Sequence, residues 1–205
     1  MNDTNNTLKI LNEFWNIVQS IYGVYLDACQ GFHLAKTQHI KAQQCVIQSL
    51  KKTSPDHANT EYLDELSYMY GEGDPNIKDS VILHTCTQGE FKARNEETGS
   101  NYRFIANMCL ISIYQYWEDQ YREKIATALE KEKNEIQSDV MRDINSLRQS
   151  IIHNNAFASE KVKKCKLLKW FKKGDEIFID RNMFKDIIYH IKIYIRNFQK
   201  QLLPI

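Results

Sequence analysis

Arg148 and His153 stand five residues apart in Leu147-Arg148-Gln149-Ser150-Ile151-Ile152-His153-Asn154-Asn155. Arginine is a permanent planar cation that can fork onto an oxyanion, and histidine moves protons near neutral pH. The recurrence of Ile136, Val140, Ile144, Leu147 and Ile151 predicts a helix from Glu135 to about His153, with Asn154-Asn155 as its stop. On a wheel of about 100° per residue, with Ile144 at zero, the apolar arc runs from about 280° at Ile136 to about 80° at Ile152. Arg148 falls at about 40°, inside that arc, and His153 at about 180°, on the polar face. A cation on a buried arc is costly unless a partner or a polar interface receives it. The plain alternative is an arginine that snorkels past the core edge or pairs with an acidic neighbour.

Other chemistry-bearing patterns are weak or absent. There is no HExxH, P-loop, GxSxG or GxGxxG. Gly71-Glu72-Gly73-Asp74-Pro75-Asn76 reads as a turn without a phosphate-binding lysine, and His33 and His39 lack ligand spacing. His84 and Cys86, two apart on a possible strand, form a faint metal pair with no visible partners. The five cysteines are odd in number and contain no CxxC, so neither a disulfide framework nor a zinc knuckle is expected. A reducing, cytoplasmic setting fits them best. No metal or cofactor is implied. The first residues lack the charged and apolar regions of a signal peptide, and no apolar run reaches membrane-spanning length.

The elements that position Arg148 and His153 follow from composition. With 7 Gly and 3 Pro in 205 residues, the chain is poor in turn-makers, so an all-α fold of long helices in one domain is expected. Residues 7–52 read as helix, with a break near Gly31 and a second helix beyond it. Glu61 to Tyr70 reads as a short helix. Residues 71–101 hold four of the seven glycines and read as a loop-rich insertion. Within it, Ser80 to Thr87 is a possible strand, with Phe91 to Asn95 as its partner across Gln88-Gly89-Glu90. Tyr102 to about Lys133 is the strongest helix, striped by Leu110, Tyr114, Trp117, Tyr121, Ile125 and Ala128. Glu160 to Phe171 reads as a short basic helix, Glu176 to Asp180 as a brief strand, and Asn182 to Leu202 as the last helix.

Net charge is +1, but it is unevenly spread. Residues 1–100 hold 8 basic and 13 acidic side chains, net −5; residues 160–205 hold 12 and 5, net +7. The basic run Lys161, Lys163, Lys164, Lys166, Lys169, Lys172 and Lys173 follows directly after His153. It would guide a polyanion electrostatically, or dock an acidic partner, or simply face solvent. Trp170 and Phe171 are more readily core residues than base-stacking ones.

The Arg148–His153 spacing, its place at a helix end after a long aromatic-bearing helix, and the order of elements over residues 102–203 resemble the HEPN superfamily. Its mark is an R-x4-6-H motif. Gln149 departs from the family, where a polar Asn often follows the arginine, and residues 1–101 match less. The resemblance implies an antiparallel all-helical bundle that forms a homodimer and cuts RNA without metal. In such a reaction the 2′-OH attacks the adjacent phosphate. Arg148 would hold the charge developing on phosphorus, and His153 would act as general acid/base. Asn154 would orient the histidine or bind phosphate, unless it merely caps the helix. Glu118, at the edge of the long helix's stripe, would meet Arg148, while Asp119 points to solvent. Lys161, Lys163, Lys164 and Lys166 would contact RNA. About 140° separates the two motif residues around the helix, so one copy grips a phosphate poorly. A two-fold dimer would bring two motifs into one cleft and would account for an arginine on an apolar arc. The implied setting is a toxin or phage-defence nuclease with an antitoxin or other defence partner. The alternatives are a non-catalytic HEPN interaction or RNA-binding module, and a helical scaffold whose motif is accidental.

Overall fold

The computed structural model describes residues 4–74 and 81–203. In chain order the elements are α1 (Thr4–Thr53), α2 (Thr60–Glu65), β1 (Ser67–Glu72), β2 (Val81–Thr87), α3 (Gln88–Arg94), α4 (Ser100–Tyr116), a π-helical turn (Trp117–Tyr121), α5 (Arg122–Ala128), α6 (Asp139–His153) and α7 (Arg181–Leu202). The described residues are mostly helical with one antiparallel hairpin. It divides into two compact units: Met1–Asp27 with Arg103–Ile205, and Ala28–Tyr102. The stretch 71–101, expected as an insertion, belongs to the second unit; residues 75–80, including the expected strand start at Ser80, lie outside the described residues.

The expected break at Gly31 does not occur, and α1 runs through it. A glycine in a helix costs only about 1 kcal/mol against alanine, too little to stop a helix held along its length by packing.

In the first unit the core is apolar. Leu11, Phe14 and Val18 of α1 are buried with Leu110 and Ile113 of α4, Ile144 and Leu147 of α6, and Ile187 and Ile191 of α7. The Phe14 ring lies 5.4 Å from Trp117 and 5.2 Å from Tyr121, and Tyr25 stacks on Phe184 at 4.3 Å. The wide π-turn places Trp117 and Tyr121, four residues apart, both in this core. Of the expected stripe, Tyr114 is only half-buried. The long helix ends at Ala128, earlier than expected. Glu130 takes a left-handed φ of 56°, and the Lys131 N–H returns to the Ala126 carbonyl at 2.9 Å. This is a Schellman-like stop built without glycine, so composition hid it.

α4 and α6 run antiparallel. Arg122 Nε donates to the Ile136 carbonyl at 3.0 Å, and further along Arg148 lies over Tyr114. Near the start of α4, Arg103 pairs with Glu176, which itself bridges Phe157 just past α6.

In the second unit, Ser67 opposes Thr87 and Tyr70 opposes His84. The expected partner strand, Phe91 to Asn95, is helix α3 instead. Glu90 N–H donates to Thr87 Oγ1 at 3.0 Å while Thr87 N–H donates to Glu90 Oε2 at 2.7 Å. This reciprocal cap turns Gln88-Gly89-Glu90 into a first helical turn. The true partner lies upstream, where the expected helix to Tyr70 stops at Glu65 and the chain extends as β1. The expected basic helix 160–171 is one 3-10 turn, Glu160–Lys164, and the expected strand 176–180 shrinks to the Phe157–Glu176 bridge. Among the described residues no helix is long and apolar enough to cross a membrane.

Candidate functional site

Helix α6 starts at Ser138, whose hydroxyl accepts from the Met141 N–H at 3.4 Å. Val140, Ile144 and Leu147 bury one face of it. Arg148 sits at the edge of that face and is half-buried, as an arginine inside an apolar arc must be if it is to keep its head hydrated. Its guanidinium carbon is 5.4 Å from the centre of the Tyr114 ring. Its Nε is buried and has no hydrogen-bond partner among the described residues. The cation is therefore held by an aromatic face rather than by a carboxylate.

Glu118 does not meet Arg148 as expected. Its carboxylate takes Arg122 Nη1 at 3.0 Å and Lys133 Nζ at 3.2 Å. Burial alone would raise its pKa, but hydrogen bonds from Arg122 and Lys133 outweigh burial and hold it below the ordinary carboxylate value. Tyr114 lies between the two groups, its hydroxyl donating to Glu118 Oε2 at 3.4 Å. Burial first, then the Glu118 charge, pushes the Tyr114 hydroxyl above its usual value. Asp119, expected on the solvated face, is exposed. A cleft of 380 Å³ opens beside this group, lined by Tyr114, Glu118, Arg122, Ser138, Met141 and Asn145 among others.

His153 closes α6, exposed and without a partner among the described residues. Five residues of helix place it about 7.5 Å along the axis from Arg148. Asn154 has the capping role that was its plain alternative. Its N–H donates to the Ser150 carbonyl at 3.0 Å and its side-chain amide to the Phe157 carbonyl at 2.7 Å. Left-handed Asn155 and Ala156 complete the turn.

The lysine segment is tied to α6 by two residues that sequence reasoning passed over. Asp143 is fully buried and accepts from the N–H groups of Lys166, Leu167 and Leu168 at 2.6–3.0 Å. Ser150, also fully buried, accepts from the Ser159 N–H at 3.1 Å. Asp143 is why no helix continues past Lys164: the carboxylate takes backbone donors that helical carbonyls would otherwise use. The signal was faint, since Asp143 falls at about 260° on the same wheel, just outside the apolar arc and next to Ile136 at about 280°, where a charge beside a buried face needs dedicated donors.

The four lysines expected to face RNA are unequal. Lys161 bonds to Gln149, Lys163 pairs with Glu160 at 2.6 Å, and Lys166 with Asp139 at 3.1 Å. Lys164 has no such partner among the described residues. The patch is thus partly neutralised by its own neighbours. Exposed apolar side chains flank the α4–α6 pair: Phe104 and Met108 on α4, Ile152 on α6, and Phe157 beyond it. Among the described residues no cluster of three or more His, Cys, Asp or Glu is placed to hold a metal. Comparison with protein-family models, with curated proteins and with solved structures gives no match.

Proposed function

We propose that this chain is a metal-independent endoribonuclease of the HEPN type, acting in a toxin or phage-defence setting. It cuts RNA at a composite site across a homodimer. The observation that carries the reading is Arg148: a guanidinium over the Tyr114 ring, with a buried Nε that has no partner and no carboxylate pairing among the described residues. Such a cation is poised for an anion from outside the chain. His153, exposed at the end of the same helix, takes the proton from the ribose 2′-OH. The oxygen attacks phosphorus, Arg148 stabilises the added charge, and the bond to the 5′ oxygen breaks. That oxygen is protonated by His153 of the second copy, leaving a 2′,3′-cyclic phosphate and a 5′-OH. Phe104, Met108, Ile152 and Phe157 supply exposed apolar surface for the second copy. Lys164 and its neighbours steer RNA, and an antitoxin or other defence partner would restrain the activity.

One observation favours the runner-up, a non-catalytic HEPN interaction or RNA-binding module. Glu118 and Asn154 are committed to Arg122, Lys133 and the turn, which leaves two of the four expected residues open.

The test uses the full chain with RNA in excess EDTA, comparing wild type, His153→Ala and Arg148→Ala. Each variant is expected to lose at least about 100-fold in cleavage rate. Cleavage abolished by chelation, or retained in both variants, would sink the nuclease reading. RNA binding without cleavage, weakened by neutralising Lys163, Lys164 and Lys166, would favour the runner-up. A solution mass showing monomer at working concentration would refute the composite site.

A further inference from the structure

Arg94, the last residue of α3, differs in its partners from Lys36 and Lys92 of the second unit. Lys36 pairs with Glu96 at 2.5 Å and Lys92 with Asp64 at 2.6 Å. Arg94 has no carboxylate partner among the described residues. Its Nη1 donates to His84 Nε2 at 2.7 Å, and its Nη2 to the Tyr70 hydroxyl at 3.4 Å. Its guanidinium also lies 5.4 Å from the centre of the Phe91 ring and 5.7 Å from that of Tyr70. A charged donor spent on a neutral imidazole and a phenol leaves most of its electrostatic potential unused. The aromatic faces hold it in place, so binding would cost little further side-chain freedom.

The cleft beside it measures 500 Å³ and is lined by His84, Thr85, Cys86, Glu90, Arg94 and Ser100 among others. Gly99 brings Ser100 there. A Cβ at Gly99 would press into the Ala93 carbonyl and come 2.5 Å from that of Arg94, so the close passage requires glycine. Ser100 is exposed there. Among the described residues of this lining the opposing charge is Glu90, whose Oε2 is held by the Thr87 N–H.

We propose that Arg94 and His84 form a phosphate-binding site on the hairpin, independent of Arg148 and His153. The guanidinium fork takes two phosphate oxygens, and the His84 ring, whose Nε2 accepts from Arg94 Nη1, stands beside them. Tyr70 and Ser100 offer hydroxyls to the remaining oxygens. The shared chemistry is an anionic phosphate, carried by a phosphomonoester or by the phosphodiester of a nucleic acid.

The full chain is titrated with inorganic phosphate and, separately, with the deoxydinucleotide TpT, which has one phosphodiester and cannot undergo 2′-OH cleavage. Binding is read from the NMR signals of Tyr70, His84, Arg94 and Ser100. A saturable shift with phosphate alone assigns a monoester ligand; one with TpT assigns a nucleic acid. Arg94→Gln should weaken binding about tenfold or more, as loss of a charge-assisted bidentate contact does. His84→Gln should weaken it less, and Glu90→Gln should tighten it. If Arg94→Gln lowers the melting temperature, the affinity of His84→Gln decides in its place. No shift with either probe, or affinity unchanged in a folded variant, overturns the site. His153→Ala leaves binding here intact, so failure of the nuclease reading and failure of this one are separable.

Discussion

The two units bury different chemistry. The first encloses hydrocarbon and aromatic side chains, from Leu11 and Phe14 to Trp117, Leu147 and Ile191. In the second, the buried apolar side chains among the described residues are Cys29, Leu63 and Phe91, and Gln43 and Asn95 are buried with them. Gln43 donates to Asp64 and Gln88 at 2.9 Å each and accepts from Lys92 at 3.0 Å, while Lys92 pairs with Asp64. The hairpin leaves Val81, Ile82 and Leu83 exposed. An apolar core stabilises through area removed from water, roughly 25 cal/mol per Å². A buried polar network contributes about 1 kcal/mol per hydrogen bond and is costly when one member is lost. The first unit is therefore the stiff platform for α6, and the second is a surface whose shape depends on a few directional bonds.

The largest effect should come from Trp117→Ala in the first unit. Trp117 is 2% exposed and touches Phe14 and Tyr194. Its removal should cost about 3–5 kcal/mol, read as a lowered urea midpoint. A loss under about 1 kcal/mol would mean that this core is not close-packed.

Gln43→Ala should cost less, about 1–3 kcal/mol, because Asp64, Gln88 and Lys92 each lose a hydrogen bond to it while Lys92 and Asp64 keep their ion pair. Native-state hydrogen exchange locates the damage: amides of β1 and α3 should exchange faster while those of α6 stay protected. Equal loss of protection in α6 would erase the distinction between the units.

The same contrast governs what was legible from sequence. Long helices with an apolar stripe were readable, as α7 shows: Phe184, Ile187, Ile188, Ile191 and Ile195 are all buried at helical spacing. Elements decided by single side-chain bonds were not. The Thr87–Glu90 cap made a helix of an expected strand, and Asp143 unwound an expected helix into a 3-10 turn and irregular chain. At the candidate site, wheel geometry placed Arg148 inside the apolar arc, but could not show that it would sit at the edge of the buried face or that Tyr114 would receive it. Nor could it show that Arg122 and Lys133 would claim Glu118, since both depend on tertiary approach of α4 to α6.

The smallest effect is a pH dependence confined to the second unit. His39 Nε2 is buried without a hydrogen-bond partner among the described residues, and its ring packs edge-on against Tyr68 and Phe91. Burial lowers its pKa below the usual value; Lys92 adds to the lowering, while Gln88 and the Asp64 carboxylate oppose it. The folded state thus binds this proton less readily than the unfolded chain does. Its contribution is full above about pH 6.5, the unfolded value, and is lost as pH falls toward and through the lowered folded pKa. Exchange protection of β1 and α3 should accordingly fall between pH 7 and 5, and His39→Phe should flatten that slope while leaving α6 unchanged. Other groups titrate in this range, so the comparison with His39→Phe isolates the histidine. Equal slopes in the two proteins would show that burial of His39 carries no proton linkage, and that the polar network alone sets the stability of the second unit.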